Sequence, residues 1–257
     1  MEPMLAQSYF PAVGGFPLDA QPKLNGLRCL VRADDLVLRS RNGQTYRLPQ
    51  ITEQLGRVLP PGATGDGELY VHGVPLQRIV SLATRQQIES ATLEFHVFDL
   101  LAGDWRTRSW RQRRADLEAL MRVARHAGCD RIRFVESMTA DSREDAERLH
   151  DEFVAAGYEG AVLRAPDAPY ATGSRSAALL KYKRFDDAEF EIVGATSARG
   201  TDSGCVIWKC LTETGRTFEV VPAWPDYERR VPGVNSTAAG TACRLSPSFS
   251  CRWSTPV

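Results

Sequence analysis

Four stretches of this chain carry a helical repeat, and short strand-like runs fill the remainder without alternating regularly with them. That pattern constrains the fold more than any other feature. An all-parallel sheet needs a helix between successive strands, and the order here does not supply one. Leu27 to Arg32 and Leu36 to Ser40 read as strands around a turn at Asp34-Asp35. Gln50 to Val58 reads as a short helix stopped by Pro60-Pro61-Gly62, and Glu68 to Val71 as a strand. Leu76 to Ser90 reads as helical and Leu93 to Leu100 as a strand. Arg111 to His126 puts Leu117, Leu120, Met121 and Ala124 on one face, with Gly128 past its end. Ser142 to Ala156 turns Ala146, Leu149 and Phe153 inward, with Gly157 beyond it. Ile132 to Val135, Gly160 to Arg164 and Ala178 to Arg184 complete the strands. The fold class is therefore α+β, with mixed, mainly antiparallel sheets. The Pro- and Gly-rich stretch before about Asp19 reads as an extended lead-in.

The pattern changes near Arg184 to Glu189. Short strand-like runs follow at Phe190 to Thr196, Cys205 to Leu211 and Thr217 to Val221, with turns at Gly200 and Gly215, as at the start of a small β-barrel. From Arg229 to Val257 the chain is rich in Ser, Thr, Pro and Ala and has no period, so this tail is expected to be aberrant or disordered. The expected division is a large domain over 1–186, a partial barrel over 187–228 and the tail over 229–257.

No window approaches the ~18 apolar residues of a membrane helix. Met1 to Phe10 lacks the basic start and apolar core of a secretory signal, so a cytoplasmic location is expected. The six cysteines form no C-x-x-C pair and His is scarce, which argues against a zinc site or a disulfide framework. Net charge is +0, so any polyanion contact must come from a local patch. Positive charge is carried by 28 arginines and only four lysines, Lys23, Lys181, Lys183 and Lys209. An amine can attack once it has lost a proton, and a guanidinium essentially cannot. Each lysine is thus a candidate for chemistry.

Four strings stand out. Lys23-Leu24-Asn25-Gly26-Leu27-Arg28 joins a lysine to an arginine through a glycine that lets the backbone approach a ligand. Asp66-Gly67-Glu68-Leu69-Tyr70 puts a carboxylate at a strand start, where ribose hydroxyls could be bound. Glu159-Gly160-Ala161-Val162-Leu163-Arg164 follows a helix end and offers an oxygen ligand for Mg²⁺. Leu180-Lys181-Tyr182-Lys183 places two ammonium groups on one strand face, as suits an anion between them. Alone, each also reads as a solvated turn or edge strand, and Phe98 alone also reads as a core residue.

In this order the strings resemble the K-x-D-G-x-R, D-G-E-L, E-G-x-V-x-R and K-x-K motifs of the superfamily of ATP-dependent DNA ligases and mRNA capping enzymes. Leu38-Arg39-Ser40-Arg41-Asn42-Gly43 resembles that family's S-R-x-G segment, and Phe95-His96-Val97-Phe98-Asp99-Leu100 its F-x-x-F-D strand. The opening Pro3-Met4-Leu5-Ala6 and the phrase Gln21-Pro22-Lys23 are similar to small phage and bacterial ligases. The resemblance covers roughly residues 1 to 224.

The resemblance implies an ATP-grasp-like nucleotidyltransferase (adenylation) domain followed by a small, incomplete OB-fold barrel. It implies a monomer that seals nicks in duplex DNA, with ATP as the AMP donor and Mg²⁺ as cofactor. Lys23 would be the nucleophile on the α-phosphate, and Lys181, Lys183 and Arg28 near it would favour the neutral amine. Arg28 and Arg41 would contact AMP or the nick phosphates, Glu68 the ribose, Phe98 the adenine face and Gln21 the adenine edge. Lys181 and Lys183 would hold the α-phosphate and Glu159 the Mg²⁺. The chain departs from the family at Asn25, where DNA ligases carry Asp, and in the tail, which lacks the basic segment that orients the leaving pyrophosphate. Both departures predict impaired loading of Lys23. Asn25 also keeps RNA joining open, and the tail keeps open a non-catalytic nick-binding remnant.

Overall fold

The computed structural model describes residues 1–9, 15–183, 190–199, 203, 205–212 and 214–221, with the backbone of 186–188 and 251–253. The chain divides into two compact units, Met1–Arg184 and Phe185–Pro256.

The first unit runs β1 (Leu5–Ser8), β2 (Leu18–Lys23), β3 (Leu27–Arg32), β4 (Leu38–Ser40), β5 (Thr45–Tyr46), α1 (Pro49–Val58), β6 (Thr64–Tyr70) and α2 (Leu76–Thr84). It continues with β7 (Glu94–Leu101), α3 (Trp110–His126), β8 (Ile132–Phe134), β9 (Met138–Ala140), α4 (Arg143–Ala155), β10 (Gly160–Arg164) and β11 (Arg175–Tyr182). Five strands form one sheet in the order β1-β11-β10-β2-β9, and six form another in the order β5-β4-β3-β6-β7-β8. Pairing is antiparallel except for β1 with β11 and β7 with β8. The mixed, mainly antiparallel α+β expectation holds.

The helices seal these sheets. Ser109 caps α3 by accepting from the Gln112 N–H, and the Gln112 side chain returns the bond to the Ser109 N–H. The apolar face of α3 (Leu117, Leu120, Met121, Ala124) lies in the main core with Phe95, Val97 and Leu100 of β7. Removing the Leu117 side chain would cost roughly 2–5 kcal/mol, because that core has no solvent to fill the gap. Ala146, Leu149 and Phe153 of α4 pack with Leu18, Ala20, Ala161 and Leu163 of the other sheet.

Four strands of the first unit depart from the sequence expectation. β1, β2, β5 and β9 replace what read as lead-in and loop. In β2 the first four residues, Leu18 to Gln21, alternate apolar and polar but are all buried, and Pro22 within so short a run reads against a strand. The expected helix from Leu76 ends at Thr84, where Arg85 turns extended. The Ser90 hydroxyl donates to the Leu82 carbonyl and the chain closes into a 3₁₀ turn over Ile88–Thr92.

Register in β7 is broken once. Asp66 of β6 faces Asp99 but Gly67 faces Val97, leaving Phe98 as an extra residue in a bulge. Before it, Phe95 and Val97 point into the main core; after it Leu100 does, while Leu101 joins a separate cluster with Met4, Tyr170 and Leu179.

In the second unit, β12 (Asp186–Ala188) is followed by β13 (Glu191–Ser197), β14 (Val206–Leu211) and β15 (Thr217–Val220), the last three forming an antiparallel sheet in that order. Phe190 and Phe218 meet edge to face, with centroids 4.8 Å apart. The tail expected over 229–257 lies outside the described residues, except that β16 (Cys251–Trp253) pairs with β12, a strand that no period in the sequence signalled. Among the described residues no helix is long and apolar enough to cross a membrane.

Candidate active site

Lys23 is the last residue of β2, opposite Gly160 at the start of β10. The Glu159 N–H donates to the Lys23 carbonyl at 3.0 Å. The same two residues meet through their side chains, Lys23 Nζ donating to Glu159 Oε2. Lys183, one residue past the end of β11, donates to Glu159 Oε1 at 3.2 Å. One carboxylate thus bridges two ammonium groups, and all three side chains are partly open to solvent. Burial would raise the Glu159 carboxyl, but the hydrogen bond and charge of Lys23, then those of Lys183, hold it below the ordinary carboxylate value. Gly160 makes the junction: its φ is +148°, and a Cβ there would lie 2.5 Å from the Tyr182 carbonyl oxygen.

The six-stranded sheet brings the second group of residues. Glu68 of β6 accepts the Gly26 N–H at 2.8 Å. A Cβ on Gly26 would strike the Leu69 carbonyl oxygen, so only glycine lets this loop close on β6. Burial pushes the Glu68 carboxyl up to about 7, against the pull of the Gly26 N–H and the Lys23 charge. Arg28, opposite Glu68 in the β3–β6 ladder, grips Asp66 with Nε at 3.0 Å and Nη2 at 2.6 Å. Burial opposes the Arg28 charge, but Asp66 more than restores it and holds the guanidinium above its ordinary pKa. The Phe98 ring lies 5.3 Å from the Arg28 guanidinium and 5.6 Å from that of Arg164.

Behind these lies a buried ionic layer. Asp99 receives Arg113 at 2.9 and 3.1 Å and Arg164 at 3.0 Å. Arg164 also donates to Gln21 at 2.7 Å, and Gln21 donates to the Val135 carbonyl at 3.0 Å. The Tyr170 hydroxyl donates to Asp66 at 2.6 Å.

The fold therefore brings together Lys23, Glu159 and Lys183, with the charges of Lys23 and Glu159 felt at Glu68, and places Arg28 beside Phe98. Gln21 is buried with both ends of its amide engaged. Arg41 is exposed in the turn after β4, and Lys181 is exposed on β11; neither has an ion pair among the described residues. The expected crowd of cations at Lys23 takes another form: Lys23 and Lys183 share an anion, and Asp66 occupies Arg28. The sequence alone does not pair Asp66, Asp99, Arg113, Arg164 and Tyr170. The available signal was charge embedded in apolar runs, since Arg113 lies on the apolar face of α3 and Asp99 inside β7.

Among the described residues, no three His, Cys, Asp or Glu side chains cluster as a metal cage. Mg²⁺ keeps several waters and needs only one or two carboxylates beside phosphate oxygens. Glu159, partly open at Lys23, fits that requirement.

Residues 3–183 match the family model of the ATP dependent DNA ligase domain. The chain belongs to the ATP-dependent DNA ligase family. Against the DNA ligase of African swine fever virus (isolate Warthog/Namibia/Wart80/1980), this family member is 31% identical over 221 residues, 82% of its own length and 52% of the viral enzyme's. It spans about half the length of the curated ligases it matches. Its fold is that of a Lig E DNA ligase structure, with a TM-score of 0.75 at 24% identity over 90% of this chain and 87% of that one. A Chlorella virus DNA ligase–adenylate gives a TM-score of 0.62 at 22% identity, covering 90% and 88% of the two chains.

Proposed function

We propose that this chain is the nucleotidyl-transferring part of an ATP-dependent DNA ligase that seals nicks in duplex DNA. The observation that carries this reading is Lys23, set at a strand end on the Glu159 carboxylate with Lys183 on its other oxygen, inside a domain of the ligase family. Lys23 Nζ, having lost a proton, attacks the α-phosphorus of ATP. The N–P bond forms, the bond from that phosphorus to the bridging oxygen breaks, and pyrophosphate leaves. Glu159 is the nearest acceptor for the amine's proton. A 5′-phosphate oxygen at the nick then takes the AMP from Lys23, and the 3′-hydroxyl attacks that phosphate and releases AMP.

The remaining residues position and stabilise. Lys183 moves from Glu159 onto the α-phosphate as it arrives, and Lys181 joins it from β11. Arg28 and Arg41 serve AMP or nick phosphates, Glu68 the ribose and Phe98 the adenine face. Gln21, engaged on both sides, fixes β2 at the adenine edge. Glu159 would hold Mg²⁺, which would supply charge neutralisation at the phosphates. Asn25 lacks the charge of the Asp usual at its place and slows loading, so Asn25→Asp should speed it. Residues 1–186 form the adenylation domain, and β13 to β15 begin a partial OB-fold over 187–228. The protein acts as a monomer on DNA.

The test is incubation with α-labelled ATP and Mg²⁺, followed by a search for an acid-stable, hydroxylamine-sensitive adduct. Absence of label on the wild type, or equal label on Lys23→Ala, sinks the reading. Joining of a pre-adenylated nick in DNA, compared with the same nick in RNA, identifies the substrate.

A further inference from the structure

Tyr170 takes no part in the chemistry above, yet its side chain is buried and bonded directly behind it. It is 5% exposed. Its hydroxyl accepts the Met4 N–H at 2.9 Å and donates to Asp66 Oδ2 at 2.6 Å. Its ring meets Trp105 edge-on at 5.8 Å, and the Arg113 guanidinium lies 5.5 Å from its centroid. Ring, acceptor and donor are all occupied, so the hydroxyl has one orientation.

The partner it fixes is the one that holds Arg28. Asp66 Oδ2 takes both the Tyr170 hydroxyl and Arg28 Nη2, while Oδ1 takes Arg28 Nε. Asp66 is fully buried. A buried carboxylate with three donors has its plane set, and a bidentate guanidinium inherits that plane. Arg28 is 23% exposed, with its free edge beside Phe98, so its orientation is what a ligand meets.

We propose that Tyr170 is a positioning residue for Arg28, acting through Asp66, and that the Met4 amide ties the N-terminal segment into the same relay. The inference rests on the reading of Arg28 as a contact for AMP or phosphate. It adds a residue distant in sequence from the motifs and ties the setting of Arg28 to the docking of β1.

The test is a double-mutant cycle of Tyr170→Phe with Arg28→Lys. Phenylalanine keeps the ring packing and loses only the hydroxyl. Lysine keeps the charge and loses the planar fork, leaving the hydroxyl nothing to orient. The readouts are the rate of AMP loading on Lys23 and, separately, the dissociation constant for ATP, each per folded molecule by circular dichroism. In the Arg28 background, Y170F should slow loading by about ten-fold, the scale of one hydrogen bond to a charged group. In the Arg28→Lys background it should change loading by less than about two-fold. Equal losses in both backgrounds, or a lower Tm with an unchanged rate, overturn the proposal and leave Tyr170 a packing residue. Arg28→Lys without effect overturns both this inference and the role of Arg28. If the wild type binds ATP but takes no label, the nucleophile reading fails alone and the affinity arm of the cycle decides this one.

Discussion

Glu159 meets Lys23 twice, through its backbone N–H at 3.0 Å from the Lys23 carbonyl and through its carboxylate on Nζ. The main-chain bond sets the register of the two residues, so the carboxylate stays within reach of the ammonium while Nζ remains free to turn toward a substrate.

Glu159→Gln keeps that backbone tie and removes the charge. Two ammonium groups would then share a neutral amide. AMP loading should fall at least about ten-fold, while stability should change by less than about 1 kcal/mol because the pair is partly exposed. Rates from labelled ATP and urea unfolding measure the two effects. A loading rate equal to the wild type would remove Glu159 from the chemistry.

Glu68 makes stability depend on pH. Its carboxyl is pushed up to about 7 in the folded chain by burial. A raised folded pKa means the folded state binds the extra proton, so this stability is full below the ordinary Glu pKa and is lost as pH rises through about 7. Glu68→Gln removes this dependence and keeps an acceptor for the Gly26 N–H. Between pH 4 and pH 8 the wild type should lose about 1–3 kcal/mol more than the variant. Parallel urea curves at the two pH values would contradict the assignment.

Gly160→Ala should be among the most damaging single changes outside the core. Its φ of +148° is a region for glycine, and the new Cβ would press on the Tyr182 carbonyl. A loss of about 2 kcal/mol or more is expected, together with loss of loading as Glu159 and Lys183 separate. Thermal unfolding and the labelling assay read the two effects. A fully stable, active variant would show that the junction is looser than described.

Asp99→Asn leaves two buried guanidiniums without their anion. Burial already pulls Arg164 below its ordinary pKa, with Asp99 as the main opposing influence. Breaking a buried pair by removing one partner typically costs about 3–5 kcal/mol, and a loss of that size is expected here. A loss under about 1 kcal/mol in urea unfolding would mean that water enters the layer.

Most elements were legible because their apolar period is intact. Leu27–Arg32 and Gly160–Arg164 coincide with the strands read from sequence, and Arg111 to His126 falls one residue short of α3. β2 was illegible because its alternating run, Leu18 to Gln21, is only four residues long, follows a Pro- and Gly-rich stretch and meets Pro22. Asp19 accepts the Trp110 indole N–H at 2.9 Å, and Gln21 binds Arg164. Alternation predicts a solvated polar face, so the burial of Asp19 and Gln21 is not a thing the pattern can announce. The motif order marks both lysines of the K-x-K string, but only the fold distinguishes Lys183, on Glu159, from exposed Lys181. The opening Pro3-Met4-Leu5-Ala6 gains a physical role through the Met4 amide on Tyr170.

The bulge at Phe98 lets one strand serve two solvents. Were Phe98 paired in regular register instead of bulged out, Asp99 would inherit the inward parity of Phe95 and Val97 and face oil. With the bulge, Leu100 takes that place and Asp99 turns to the arginines. Phe98 sits where the parity flips, so the ring read as an adenine platform is also the hinge pin between a greasy half of the protein and an ionic one. Deleting Phe98 would leave the pairs Gly67–Val97 and Asp66–Asp99 consecutive and both faces unchanged, so what the bulge adds to the strand is the Phe98 ring itself.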